Sequence, residues 1–288
     1  MPSSKKLSFG KLKAREILRH LRIESPDEIE IEDMAWYRGA LVREIPLRGA
    51  DGRVIRTGDR GIIGIRQDIN EPGKKRFVAA HELGHFELHA KRDQLSLCLQ
   101  SDFLNWYHAA QPDENEANEF AAELLLPEDL FAPRAVTLQP ALETIEELAG
   151  RFRTTLTATA IRYVECTPER CAIVISENGK IKWFRASDDF GYFLTPGTPL
   201  HENTYAVDYF KGKPIQRGLN PVRADAWLEG GKLQRDSFVK EGSRELSRYE
   251  QVISLLWIDQ DIDNFDPDDE EPEYDPDHFT PDGKRWRW

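Results

Sequence analysis

The sequence predicts an α+β protein: a mainly helical first part with a small sheet, then a smaller β-rich part and an acidic tail. Three observations indicate this fold class. Apolar residues recur at helical spacing in several segments before residue 166. Short β-branched runs lie among these helical segments. After Pro168 the sequence changes to short apolar runs separated by turn residues, which is typical of a sheet.

The first seventy residues predict two helices and two strands. Residues 8–22 repeat apolar side chains at helical spacing, and residues 28–39 predict a second helix that ends at Gly39. Residues 41–47 and 61–69 are rich in β-branched side chains and alternate in part, so they predict strands. The polar segment between them is expected to connect the two strands.

Three further helical segments follow, and then a hairpin. Residues 75–90 predict a long apolar helix, and another helix is expected at 112–127. Residues 141–165 favour a helical hairpin, a pair of helices with a short break between them. Further along, Asn178-Gly179 lies between two apolar runs, which is the strongest short signal for a β-hairpin.

A chain of 288 residues is long enough for one large domain or two modest ones. We expect a first domain at 8–140, a helical hairpin at 141–167, a C-terminal α+β domain at 168–258 and a disordered acidic tail at 259–288. The main boundary is placed near 166–170, where the pattern changes.

The net charge of -12 is concentrated in the tail. Residues 259–288 hold twelve Asp and Glu against three Lys and Arg, so they carry -9 of this charge. The tail is too charged and too rich in proline to form a core, which predicts a solvated, disordered segment. The first 258 residues carry only -3, so they lack the strong basic excess of many nucleic-acid-binding domains.

Cysteine usage and hydropathy favour a cytoplasmic protein. Cys98 stands alone and Cys166 and Cys171 lack the partners of a zinc ribbon, so we expect reduced thiols in or near the core. The apolar runs are far shorter than the roughly 18 residues of a membrane span. The charged N-terminus is not followed by the apolar segment of a signal peptide.

The segment 77–89 contains the pattern H-E-x-x-H, formed by His81, Glu82 and His85. Side chains at positions i and i+4 of a helix lie on one face, so two imidazoles there can bind one metal ion. Glu82 lies about 100° around the helix, close enough to act on a water that the metal polarises without being a ligand. These residues predict a metallopeptidase with Glu82 as general base.

A tetrahedral site of this kind needs a third protein ligand. The pattern H-E-x-x-H-x-x-G-x-x-H would require Gly and His at positions where this chain has Leu88 and Lys91. His89 lies a further turn along the helix, and we expect it to support a ligand or lie in the core.

A carboxylate from the following helix is the remaining option, and helical geometry sorts its acids. Glu114 falls on the apolar face, whereas Glu116, Glu119 and Glu123 fall outside it and are expected on a solvated face. Asp113 is expected as the N-cap. The predicted metal ligands are therefore His81, His85 and Glu114, and Asn118, one turn further on, is expected to hydrogen-bond a ligand histidine.

The two segments resemble the ImmA/IrrE family of metallopeptidases. Residues 76–89 read RFVAAHELGHFELH and residues 114–127 read ENEANEFAAELLLP. The family pattern is approximately F-x-x-A-H-E-L-G-H-x-x-L-H followed by E-x-E-A-N-x-F-A-x-x-L-L-x-P. Leu126 is a mild departure, because methionine is frequent there. The resemblance is strong over residues 10–165 and weak beyond them.

The resemblance implies a gluzincin-like zinc peptidase domain of zincin-like fold, followed by a helix-turn-helix-like segment at 141–167. Some relatives have a sensor-like C-terminal domain, and residues 168–258 are the expected counterpart. It assigns the same four positions: His81, His85 and Glu114 as metal ligands and Glu82 as catalytic base. Zn²⁺ is the expected cofactor, with Mn²⁺ as the alternative. Relatives cleave helix-turn-helix repressors, so the expected partner is a protein substrate of that type.

Functions from other classes compete with this interpretation. A DNA-binding regulator on a peptidase scaffold would read DNA through residues 141–165, and a toxin-antitoxin-type interaction protein would use the acidic tail. The segment 151–162 has three arginines, but DNA binding usually needs a broader basic face, and neighbouring glutamates oppose it. We therefore expect a protein substrate, no direct contact with DNA and no membrane association.

Overall fold

The computed structural model describes residues 7–89, 96–98, 112–229 and 237–259. The predicted tail at 259–288 lies outside this part apart from its first residue. The described α-helices are α1 (Phe9–His20), α2 (Ile31–Tyr37), α3 (Pro72–Leu88), α4 (Pro112–Leu125), α5 (Glu128–Ala135), α6 (Leu142–Phe152), α7 (Leu156–Cys166) and α8 (Ala206–Phe210). The described strands are β1 (Ala40–Ile45), β2 (Gly52–Thr57), β3 (Arg60–Arg66), β4 (Ser96–Cys98), β5 (Cys171–Glu177), β6 (Lys180–Ala186), β7 (Asn220–Arg223), β8 (Phe238–Leu246) and β9 (Gln251–Trp257).

The α+β class predicted from the sequence is confirmed. The predicted helices correspond to α1, α2, α3, α4 and the pair α6–α7, and their ends differ by a few residues. Helix α5, with Pro133 inside it, was not anticipated. None of the described helices combines the length and apolar content that a membrane crossing requires.

The N-terminal sheet has the strand order β1-β3-β2-β4. β1 and β3 are parallel, whereas β2 is antiparallel to both β3 and β4. β2 occupies the polar segment that separates the two predicted strands, and it was not anticipated from the sequence. Arg56 of β2 packs against α3. Its guanidinium lies 4.4 Å from the centre of the Phe86 ring and donates a hydrogen bond to the Phe86 carbonyl.

Helix α3 lies between this sheet and α4. Residues 77–86 are all buried, because the helix is covered on both sides. Gly84 allows the close approach of α4: a Cβ at Gly84 would lie 3.1 Å from the Ala117 Cα. The two helices that carry the predicted metal ligands therefore pack nearly backbone to backbone.

The pair α6–α7 forms the predicted helical hairpin. Arg153 adopts a left-handed conformation at the C-cap of α6, and the Thr155 hydroxyl caps α7 by accepting a hydrogen bond from the Ala158 N–H. Arg153 also donates to the Glu30 carboxylate at 2.6 Å. The turn between the helices is thereby tied to the segment that precedes α2.

The C-terminal sheet is antiparallel, with the strand order β6-β5-β9-β8-β7. Asn178 and Gly179 join β5 to β6 with φ of 52° and 72°, which confirms the predicted hairpin. One face of the sheet packs into the same core as the helices through residues that include Cys171, Ile173 and Ile253. The other face supports a second cluster built around buried side chains such as Phe190, Leu194 and Trp227.

The two cysteines next to the predicted boundary are thiols, as expected. Cys166 is half-buried at the end of α7, and Cys171 is fully buried at the start of β5. Burial raises the pKa of Cys166 to about 11 and that of Cys171 to about 12. Both groups therefore stay protonated at neutral pH. Only the backbone of Cys98 is described.

Glu123 is buried rather than solvated, so the expectation from the helical wheel was wrong for this residue. Its side chain is 1% exposed and accepts hydrogen bonds from Arg15 Nε at 2.7 Å and Arg162 Nη2 at 2.5 Å. The reason is that α4 is covered on this side as well, by α1 and α7. The helical positions of the apolar residues in one helix cannot show how many of its faces are covered by other helices.

We predict that Arg162→Ala lowers the free energy of unfolding by about 3–5 kcal/mol, because it leaves the buried carboxylate of Glu123 without one of its two cations. Denaturant unfolding measures this change. The control is Arg151→Ala on the neighbouring helix α6, where the side chain is exposed, and a change within about 0.5 kcal/mol is expected. Equal effects of the two substitutions would contradict a structural role for the buried pair.

Candidate metal centre

His81, His85 and Glu114 come together where α3 crosses the start of α4. The Nε2 atoms of the two histidines lie 3.0 Å apart. The Glu114 carboxylate is 3.2 Å from His81 Nε2 and 3.3 Å from His85 Nε2. These are the three residues that the sequence singled out as ligands.

The arrangement fits a divalent metal ion. Three ligands that each lie about 2.1 Å from a tetrahedral ion are separated from one another by roughly 3.4 Å, close to the spacings found here. One atom from each of the three side chains lies within 4.8 Å of the others. Two imidazole nitrogens and one carboxylate oxygen are also a common set for such ions in proteins.

The local sequence explains how each ligand is placed. His81 and His85 lie one turn apart on α3, and Glu114 lies in the first turn of α4. α4 begins at Pro112, so Asp113 falls inside the first turn, and its predicted role as the N-cap was wrong. Proline is favoured at this position because the first helical N–H groups have no partner within the helix. An early start brings Glu114 into regular helix, where its direction is fixed.

Asn118 supports His81, as expected from the sequence. Its Oδ1 atom lies 2.8 Å from His81 Nδ1, and the Asn118 residue is 1% exposed. An amide oxygen can only accept, so Nδ1 carries the proton and donates it. The lone pair of the ring then lies on Nε2, the nitrogen that faces Glu114 and His85.

His89 lies beside the cluster rather than within it. As the C-cap of α3, it has its Nδ1 atom 3.1 Å from His85 Nδ1 and its Nε2 atom 3.4 Å from Glu116. It therefore orients the outer edge of the His85 ring, in agreement with the supporting role expected for it. Glu116 is half-exposed and contacts His89 instead of the three ligands.

Glu82 is fully buried on α3 between the two histidines in sequence. It faces the start of β2: Gly52 lies so close that a Cβ there would be 2.5 Å from Glu82 Oε1. Its negative charge contributes to the raised pKa of His85. The glutamate of the motif is therefore near the ligand cluster and shielded from solvent.

Burial and neighbouring charges shift the pKa values of the three candidate ligands in different directions. Burial lowers the pKa of His81, and the neighbouring carboxylate of Glu114 only partly opposes this. Burial also tends to lower the pKa of His85, but Glu114 and Glu82 raise it overall. Burial alone would raise the pKa of Glu114, but the two imidazoles hold it well below its usual value. At neutral pH Glu114 is thus ionised and His81 neutral, the states that metal binding requires.

Comparisons with known proteins show what the chain is similar to. Residues 35–163 match the family model of the IrrE N-terminal-like domain, Peptidase_M78, and this match includes α3, α4 and most of the helical hairpin. The solved structure of a Mycobacterium tuberculosis transcriptional regulator is similar in fold, with a TM-score of 0.53 and 17% sequence identity over 87% of each chain. No curated protein matches the chain in sequence.

We predict that His81→Ala and His85→Ala lose most of the bound metal. Glu114→Gln should weaken binding by more than the roughly 10–100-fold that is typical of residues that only support a ligand. Metal analysis and competition with a chelator measure both effects. The matched control is Glu116→Gln on the same helix, which should bind nearly as well as the wild type. Equal metal content in the wild type and His85→Ala, or a stronger effect of Glu116→Gln than of Glu114→Gln, would contradict the assigned ligands.

Proposed function

Residues 35–163 belong to the Peptidase_M78 family of IrrE N-terminal-like domains, and from this we propose that the protein is a metal-dependent endopeptidase. The convergence of His81, His85 and Glu114 from two helices is the observation that carries the proposal. A structural metal site would be complete with four protein ligands, whereas the three that lie together among the described residues leave a position for chemistry. The general base is Glu82, buried beside them.

We assign Zn²⁺ as the metal, with Mn²⁺ as the alternative. Two histidines and one glutamate form a ligand set that suits catalytic zinc. When bound, the ion polarises the scissile carbonyl and lowers the pKa of a water molecule. The other contributions to catalysis come from the side chains of the chain itself.

Glu82 moves the proton in the proposed reaction. The oxygen of a water molecule adds to the carbonyl carbon of the scissile bond while Glu82 accepts a proton from that water. The C–N bond then breaks, and Glu82 delivers the proton to the leaving nitrogen. Asn118 keeps the proton of His81 on Nδ1, so Nε2 stays available as a ligand throughout.

We propose that the substrate binds in an extended conformation at the edge of the N-terminal sheet. Residues 61–69, the predicted strand nearest in sequence to α3, cannot serve as this edge, because β3 lies between β1 and β2. β4 is the outer strand on the side of β2, whose first residue, Gly52, faces Glu82. An extended peptide that pairs with β4 would add a strand to the sheet beside the site.

A regulatory protein of the helix-turn-helix repressor class is the substrate that we propose. The family resemblance motivates this choice. The physical argument is that backbone pairing at an edge strand supplies affinity but little sequence preference. Selection of one substrate then requires docking outside the metal centre. A folded repressor also has to expose its cleavage segment, because a helix cannot pair along a strand.

Two of the three arginines that suggested DNA binding are engaged in contacts within the protein, which disfavours the DNA-binding alternative. Arg162 is buried and paired with Glu123, and Arg153 is bound to Glu30 and to the carbonyl of Ile29. Arg151 is thus the remaining exposed arginine of this segment. One exposed arginine does not make the basic face that DNA binding uses.

We predict that Glu82→Gln retains the metal and the fold but reduces the cleavage rate by about 10²–10⁴-fold. The amide has nearly the same shape as the carboxylate but cannot accept the proton. Metal content, thermal unfolding and the rate of cleavage of a repressor substrate are measured on the same preparation. Cleavage by Glu82→Gln at a near wild-type rate would show that another group moves the proton.

We further predict efficient cleavage of one helix-turn-helix partner, such as a repressor encoded beside this gene, and slow cleavage of casein. Casein is unstructured and would fit an edge strand, but it lacks the docking contacts of a specific partner. Quantitative gel assays with both proteins, and with Glu82→Gln as the inactive control, distinguish the outcomes. Rapid digestion of casein at many sites by the wild type would make this a general protease instead.

A further inference from the structure

The start of β2 lies directly against the side chain of Glu82. We propose that Gly52 is a positioning residue for Glu82: the missing side chain at this position leaves the space in which the carboxylate is held. This inference rests on the proposed function, in which Glu82 is the general base, and adds to it a residue outside both sequence motifs.

The contact at Gly52 has no room for even one additional carbon. A Cβ built on Gly52 would lie 2.5 Å from Glu82 Oε1, 2.8 Å from Glu82 Cγ and 2.7 Å from Val78 Cγ1. Real Cβ atoms essentially never approach other heavy atoms within 3.0 Å. Any side chain at this position therefore forces a neighbour to move.

The backbone of Gly52 is held on both sides and resists displacement. It pairs with Ile65 of β3 on one side and with Cys98 of β4 on the other. β2 is thus an inner strand, and moving it would disturb two sets of ladder hydrogen bonds. The neighbouring side chains are expected to yield before the strand does.

The residue before Gly52 fixes the strand to the base of the site helix. Asp51 is fully buried and forms ion pairs with Arg66 Nη1 at 3.0 Å and with Lys74 Nζ at 2.8 Å. Lys74 lies in the first turn of α3, and the Arg66 backbone N–H donates to the Asp51 carbonyl at 2.9 Å. These contacts link β2, β3 and α3 one residue away from the Glu82 contact.

The two side chains that face Gly52 differ in how they can respond. Val78 is β-branched and fully buried on α3, so its rotamer is constrained. Glu82 has a longer side chain, and rotation about its bonds can carry the carboxylate away from an added methyl group. Alanine at position 52 should therefore preserve the fold and displace the carboxylate. Displacements of about 1 Å in a catalytic site can cost on the order of 100-fold in rate.

The experiment compares the full-length wild type with Gly52→Ala, Gly52→Ala/Val78→Ala and Gly150→Ala. Gly150 lies in α6, where an added Cβ has nothing within 4 Å, so it is the matched glycine control. The readout that does not depend on activity is the ¹³C NMR signal of the Glu82 carboxyl carbon in glutamate-labelled protein, assigned as the signal that Glu82→Gln removes. Metal content and thermal unfolding are measured alongside it.

We expect Gly52→Ala to shift the Glu82 carboxyl signal while the metal content stays near that of the wild type. With the neighbouring repressor as substrate, kcat should fall about 10–100-fold and KM should change by less than about twofold. Val78→Ala removes one of the two obstructing side chains but leaves Glu82 in contact with the added methyl group. In the double variant the Glu82 carboxylate should therefore remain displaced and kcat should remain low. Gly150→Ala should match the wild type in the Glu82 signal, metal content and kinetics, and its thermal stability should be equal or slightly higher because alanine favours a helix.

An unchanged Glu82 signal in folded Gly52→Ala would overturn the proposal, and so would full recovery of kcat in the double variant, because packing against Val78 would then explain the effect. If Gly52→Ala does not fold, the double variant is examined in its place, and unfolding of both would show that Gly52 serves the fold instead of Glu82. A shifted signal in a protein whose wild type cleaves no substrate would support the contact while contradicting the proposed function.

Discussion

The close packing of α3 on α4 at Gly84 is the contact on which the candidate site depends. His81 and His85 come from one helix and Glu114 from the other, so the distance between the helices sets the distances between the ligands. A metal site tolerates errors of only about 0.2 Å in its ligand distances. A methyl group at Gly84 would already lie 3.1 Å from the backbone of Ala117 and would tend to push the helices apart. The absence of a side chain at this crossing thus lets the helices approach closely enough to bring the three candidate ligands together.

Buried charges hold α4 in place on its other sides. Glu123 lies nine residues after Glu114, which is about 13 Å along a helix at 1.5 Å per residue. It is bound by Arg15 from α1 and by Arg162 from α7. Buried ion pairs add little net stability compared with apolar packing, but breaking one is costly, so they discriminate against shifted arrangements. The ion pairs of Glu123, which lie far from the ligands, therefore help to fix the rotation of α4 about its axis and its position along that axis, and hence the position of Glu114.

The sequence predicted the structure best where the repeat of a single helix or the turn of a single hairpin determines which side chains lie together. The spacing of His81 and His85, the inward face of Glu114 and the turn at Asn178-Gly179 follow from helix and hairpin geometry alone. Glu123 and the order of the N-terminal strands could not be predicted in the same way, because both depend on contacts between distant segments. The approach of Gly52 to Glu82 is of this second kind. A glycine in a short polar segment gives no signal until the sheet is assembled over the helix.

The C-terminal sheet is physically joined to the site helix as well as to the hairpin before it. Tyr249 donates a hydrogen bond at 3.0 Å to the carboxylate of Glu71, the N-cap residue of α3. Burial and the charge of Glu71 raise the pKa of Tyr249 to about 12, so its hydroxyl remains a donor at neutral pH. In addition, buried residues of β5 and β9 such as Ile173 and Ile253 complete the core of the helical part. A chain cut near the predicted boundary at 166–170 would expose this apolar surface and remove the support at the start of α3. The integrity of the metal helix therefore depends on residues more than 150 positions further along the chain.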